Sequence, residues 1–341
     1  MYVNKLIIVV LIVTLFLSAC QMPQEPTDAE SSHYFSVTVT TYDGQATAEG
    51  GMVTTVYEVD LSNGETKEKW SFVRTAQYPL AAYSQYDNCV YYTQKVDSDE
   101  GKGDQLFCKN LLTGDVVALT EDLFGVNYII PLDAERIAYV AAKKQSHLLG
   151  LYVYDKSASE TAKADLPEDM SIQRVSYNAV TGKLIGSGRF EKEERAAADL
   201  SNQGEGRKFI PPDHYIYDFT DVNDVKLLYK TERMSVERLA SDSNNQLLFT
   251  LSDTDRGWNP SFETFSYDIE DKIHTPIENL DAQMYISEFL FCKEDILYFI
   301  GVDERNTTNN SRGIYAYNLS TKETHLVFTS KDGWINNFIL L

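Results

Sequence analysis

The chain has 341 residues, of which 43% are hydrophobic and 24% charged. That balance excludes wholesale disorder and leaves room for one large all-β domain or two ordinary domains. Asp and Glu (51) outnumber Lys and Arg (30), giving a formal charge of −21; a surface that acidic repels nucleic acid, so no nucleic-acid partner is expected.

The N-terminal stretch MYVNKLIIVVLIVTLFLSAC carries Lys5, then an unbroken apolar-to-neutral run from Leu6 to Leu17, then small residues before Cys20. The run is too short for a bilayer span, which needs about 20 residues, and matches the core of a signal peptide. The residues Leu17-Ser18-Ala19-Cys20 resemble the bacterial lipobox. That resemblance implies removal of residues 1–19, acylation of Cys20 (palmitate among the chains), and attachment to the cell membrane facing outside the cytoplasm. In a Gram-negative envelope it implies the outer membrane, because Gln21 stands where an inner-membrane retention signal has Asp. Residues 20–34 are polar with two prolines and no apolar period, and read as a tether.

From residue 35 to 341 the chain repeats itself. The segments VYEVDLSNGE, LFCKNLLTGD, LYVYDKSASE, YIYDFTDVND, TFSYDIEDKI and IYAYNLSTKE align on Asp60, Asn110, Asp155, Asp218, Asp268 and Asn318, at spacings of 50, 45, 63, 50 and 50 residues. Aromatic and β-branched residues in alternation predict a strand, and the Asp or Asn predicts a turn by accepting local backbone hydrogen bonds. Upstream of each segment is a nearly continuous apolar run (FSVTVT, CVYYTQ, RIAYVA, KLIGSG, QLLFTL, ILYFIG), as expected for strands covered on both faces. A further strand and tight turn precede each of the last five runs. The unit is therefore strand a, tight turn, strand b, long loop, strand c, tight turn, strand d. The first unit lacks its own strand a, and the chain ends in the apolar WINNFILL (Trp334–Leu341), which is placed to supply it. The expected fold is all-β: a six-bladed β-propeller of four-stranded blades, closed by the C-terminal strand.

Blade spacing and the recurring YxYD/N strand resemble the TolB-like six-bladed propellers of secreted and lipid-anchored bacterial proteins. The resemblance covers about residues 35 to 341 and implies a non-catalytic scaffold that binds an envelope protein or a glycan. No WD dipeptides mark the blades, and Ser330–Trp334 (SKDGW) meets only part of a sialidase Asp-box. Fold alone does not define activity.

The sequence holds no G-x-S-x-G elbow, phosphate-binding loop or H-E-x-x-H, and its five histidines have no metal-ligand spacing. The alternative to a binding scaffold is a carbohydrate-active enzyme, a hydrolase or lyase using paired carboxylates at the propeller mouth. No catalytic residue is assigned and no cofactor is required. A weak Ca²⁺ candidate is Asp97, Asp99 and Asp104 around Gly101, set against their reading as polar loop residues. Cys89 and Cys108 fall on neighbouring strands of one hairpin, an arrangement open to a disulfide or to two buried thiols. The b–c loops are long and emerge together on one face, so binding residues are sought there. The candidates are Phe190, Arg195, Arg256, Trp258 and Arg305, with a short helix expected in the longest loop, Phe190 to Asp213.

Overall fold

The computed structural model describes residues 34–42, 51–98, 101–203, 209–253, 261–278, 280, 284–303 and 312–341. Strands β1 (Tyr34–Tyr42), β2 (Met52–Asp60) and β3 (Thr66–Val73) belong to the first blade. The second holds β4 (Ala81–Ser84), β5 (Cys89–Ser98), β6 (Gly101–Asn110) and β7 (Val116–Ala118). The third holds β8 (Leu123–Pro131), β9 (Arg136–Lys143), β10 (Leu149–Asp155) and β11 (Glu160–Lys163). Strands β12 (Met170–Asn178), β13 (Lys183–Phe190), β14 (Tyr215–Asp218) and β15 (Lys226–Lys230) form the fourth, with helix α1 (Glu191–Gln203) between β13 and β14. The fifth comprises β16 (Ser235–Ser241), β17 (Leu247–Asp253), β18 (Ser261–Tyr267) and β19 (His274–Pro276). The sixth comprises β20 (Met284–Lys293), β21 (Ile296–Asp303), β22 (Arg312–Asn318) and β23 (Thr324–Thr329), and β24 (Gly333–Leu340) ends the chain. Each four-stranded sheet is antiparallel, and β24 pairs with β1 to complete the first blade in the order β24-β1-β2-β3. The six-bladed ring and its C-terminal closure are as the repeats predict.

Burial follows strand position. Inner strands such as β8 and β12 and second strands such as β9 and β17 are buried along most of their length. The outermost strands β7 and β19 are fully exposed. Aromatic rings fill the gaps between blades. Phe35 meets Tyr298 and Phe338 edge-on, each at 5.0 Å, and Phe291 meets Phe338 at 4.9 Å, joining the sixth blade to the first. Trp70 and Phe72 of the first blade enclose Tyr92 of the second at 4.8 and 5.0 Å. Such pairs add stabilisation beyond their buried area.

The six turns after the c strands start as the sequence predicts. Carboxylate or amide oxygens accept backbone N–H groups two or three residues on: Asp60 from Ser62 (2.7 Å), Asn110 from Leu112 (2.9 Å), Asp155 from Ala158 (3.1 Å), Asp218 from Thr220, Asp268 from Glu270 and Asn318 from Ser320 (each 2.9 Å). In four of them the fifth residue closes the turn by donating its N–H to the carbonyl of the first, from a left-handed backbone: Gly64 (φ 73°), Gly114 (φ 82°), Lys272 (φ 58°) and Lys322 (φ 61°). Asp133, Asn178 and Asp242 do the same work in a–b turns.

The inner strands carry a feature that the repeats do not announce. β8, β12, β16 and β20 each hold a bulge, at Val126/Tyr128, Ile172/Arg174, Val236/Arg238 and Ile286/Leu290. The bulge frees a carbonyl from the ladder, and the residue just after the preceding blade's bulge donates to it. Tyr128 reaches the Gln173 carbonyl at 3.4 Å, and Arg174 reaches that of Glu237 at 2.9 Å. Arg238 reaches those of Ile286 and Ser287 at 2.9 and 3.1 Å. Blades three to six are thus joined by side chains around the central axis.

Candidate binding face

Alternating strand direction puts every a–b and c–d turn on one side of the ring, the turn face. The b–c and d–a connections share the other side, the loop face. In the second blade the expected loop KVDSDEGKGD is mostly a hairpin: β5 and β6 run on to Ser98 and Gly101. Gly103 permits this, since a Cβ there would collide with the Leu123 carbonyl oxygen on the adjoining blade. Asp104 consequently sits in a strand. It is buried, and its carboxylate accepts the Gln77 amide at 2.7 Å while burial raises its pKa. Asp97 is on the paired strand and Asp99 lies outside the described residues. Among the described residues no group of three or more His, Cys, Asp or Glu is placed to hold a metal ion.

The expected helix in the longest loop is present as α1, with no buried residue. Its first turn carries Glu191, Glu193 and Glu194, which favour the positive end of the helix dipole, and Asp169 accepts the Lys192 amide at 2.9 Å. Arg195 is exposed and paired with Glu191 at 3.1 Å. Phe190 is instead a packing residue, its ring edge-on to Tyr215 at 5.2 Å. Leu200, 70% exposed, and Ala197 face Pro211 and Pro212 across a groove of about 390 Å³. Arg256, Trp258 and Arg305, like Cys20, lie outside the described residues.

The loop face also carries aromatic residues that the sequence did not single out. Tyr42 ends β1, Tyr78 lies between β3 and β4, and Phe124, Tyr285 and Trp334 are the second residues of β8, β20 and β24. All five are exposed, and among the described residues the one other exposed Phe, Trp or Tyr is Tyr86, on the turn face. Second positions of inner strands border the central opening, so Phe124, Tyr285 and Trp334 form part of its rim. Trp334 is 60% exposed and held in place: the Arg312 guanidinium lies 4.1 Å from its ring centroid and donates to the Ile335 carbonyl at 3.0 and 3.3 Å. Burial lowers the Arg312 pKa and the neighbouring Tyr285 raises it. Arg312 and Trp334 therefore form a fixed aromatic–cation pair across the sixth and first blades, and Tyr285 lies in the same cross-strand row as Arg312, both pairing with Val302. Their sequence signal was faint, because an aromatic inside a strand reads as core by default.

Two further depressions differ in character. One on the loop face, about 470 Å³, is lined by Arg74, Gln77, Lys95, Asp104 and Phe124. Another on the turn face, about 580 Å³, lies between the third and fourth blades, with Leu132, Tyr177 and Phe219 in its lining and Asp155, Glu160 and Asp221 among its polar groups.

These features define a six-bladed propeller of the TolB-like fold with an aromatic loop face. No protein-family model matches the chain, and no curated protein does. Among solved structures it is similar to a chain of a nidogen/laminin complex (TM-score 0.52, 13% identity, 90% of this chain and 98% of that one). It is likewise similar to TolB from Acinetobacter baumannii (TM-score 0.51, 15% identity, 96% and 69%). A third likeness is to the tricorn protease (TM-score 0.51, 11% identity, 87% and 31%). At these identities the likeness is one of fold.

Proposed function

We propose that the protein is a cell-envelope lipoprotein, anchored through Cys20, whose propeller captures a protein or glycan partner on its loop face. The observation that carries this reading is the one-sided distribution of exposed aromatics, five on the loop face against one on the turn face among the described residues. Exposed Trp, Tyr and Arg held rigidly are the residue types that dominate binding energy at interfaces.

The test is a crosslinking pull-down from the organism's own envelope, comparing wild type with Trp334→Ala and Tyr285→Ala. Truncating a central anchor typically costs about 2 kcal/mol or more, so capture should weaken about thirtyfold, with the melting temperature nearly unchanged because both side chains are exposed. Undiminished capture by both variants overturns the assignment of this face. Anchoring is tested separately: Cys20→Ser should shift the protein from the membrane to the soluble fraction, and an unchanged distribution would exclude the lipid anchor.

A further inference from the structure

The register of β5 and β6 sets Cys89 opposite Asn110 and Cys108 opposite Tyr91, so the two cysteines are diagonal neighbours on one face of the hairpin. Both are free, Cys89 buried and Cys108 partly exposed, and each thiol shifts the titration of the other. Charged and polar groups surround the pair. The Asp87 carboxylate accepts the Tyr91 hydroxyl and takes the Lys156 ammonium of the third blade at 2.6 Å. Cys89 Sγ lies 3.5 Å from the Asp87 carbonyl oxygen.

We propose that Cys108 and Cys89 form a reversible thiol–disulfide site, in which Cys108 attacks a small external disulfide and Cys89 resolves the adduct. The thiolate of Cys108 displaces one thiolate from the external disulfide, leaving a mixed disulfide on Cys108. Cys89 then loses its proton and displaces the second thiolate as its sulfur bonds to that of Cys108. One external disulfide becomes two thiols, and the protein becomes two hydrogens lighter.

The roles follow from the surroundings. The adjacent Cys89 thiol lowers the pKa of Cys108, with Lys156 adding to the effect and burial and Asp87 opposing it, whereas the Cys108 thiol and burial raise that of Cys89. Thiolate character and access select the attacking sulfur, and both point to Cys108. The diagonal offset sets the character of the bridge. Diagonal Cα atoms on paired strands stand about 7–8 Å apart, beyond the usual disulfide range of about 4.4–6.8 Å. The hairpin must therefore close slightly, and a bridge under such strain is readily reduced. This site does not depend on the loop-face reading.

The test uses the full-length protein in oxidised glutathione at mildly alkaline pH, followed by intact-mass and peptide-mapping measurements. Wild type is expected to lose two hydrogens and retain no glutathione, with Cys89 and Cys108 mapped to one cross-linked peptide. Cys89→Ser should retain one glutathione, on Cys108. Under reducing conditions a limiting alkylating reagent should label Cys108 at least tenfold faster than Cys292. If wild type keeps both thiols free, or Cys108 labels no faster than Cys292, the proposal fails. The alkylation arm needs no variant and stands even if Cys89→Ser folds poorly.

Discussion

His214 is buried at 2% exposure, and its Nδ1 accepts the Val236 amide at 3.1 Å. Burial, with Arg189 and Arg174 nearby, lowers its pKa to about 3. The unfolded chain takes up this proton near pH 6.5 and the folded chain does not until about pH 3, so the unfolded state binds more protons throughout that window. Stability from this residue is complete above pH 6.5 and lost as pH falls towards 3, by about 1.4 kcal/mol per unit. Urea unfolding at pH 7 and pH 5 should differ by about 2 kcal/mol more in wild type than in His214→Asn, which keeps an acceptor for Val236 but cannot titrate. An equal pH response in both would remove His214 as the cause. The c–d turns offer a second test at this scale. Gly114 and Lys272 occupy equivalent left-handed positions, where a side chain costs about 1 kcal/mol. Gly114→Ala should destabilise by about that amount and Lys272→Gly should stabilise by up to the same; thermal melts of both decide it.

At the level of strands, the c–d turns were legible because one Asp or Asn side chain specifies each turn through local hydrogen bonds, and local chemistry survives in sequence. The inner-strand bulges were not legible. One extra residue, such as Gln173 or Glu237, shifts the alternation by a single step in a short strand, and its consequence is a bond to another blade, 45 residues away in sequence for Gln173 and 63 for Glu237. Phe124 is hidden in the same way, being itself the unpaired extra residue of a bulge between Leu123 and Gly125. The second-blade hairpin was missed because Asp, Ser and Gly read as loop residues wherever packing is invisible. The ladder is testable at Arg238, which is 3% exposed and satisfies two carbonyls of the sixth blade. Arg238→Met keeps apolar volume but strands both acceptors, for an expected loss on the order of 3 kcal/mol. A loss below about 0.5 kcal/mol would show that the bulged carbonyls find other partners.

Taken whole, the molecule is a ring whose repeat period was readable and whose aromatic rim was not. The period is a property of every blade, whereas the rim is assembled from single residues of different blades. Closure is the ring's dependence on its own ends. β24 pairs along β1 from Phe35 to Thr41, and Tyr34 and Leu341 hydrogen-bond each other in both directions at 3.2 and 3.4 Å. Removing residues 333–341 takes away the buried Ile335, Phe338, Ile339, Leu340 and Leu341, each worth about 1.5–3 kcal/mol. The truncated chain should melt well below wild type or fail to fold, and an unchanged melting temperature would rule out closure as a source of stability.

Closure also has a consequence in time. Synthesis proceeds from β1 towards β24, so the inner edge of β1 has no partner until the last residues of the ring emerge. That contact spans nearly the whole ring domain, and the chain-closure entropy it must overcome is correspondingly large. Until then an apolar strand with an open edge is available to any other extended chain, the circumstance in which β proteins aggregate. Refolding should therefore have a slow, last phase reported by burial of the Phe338 region, and its yield should fall steeply with protein concentration.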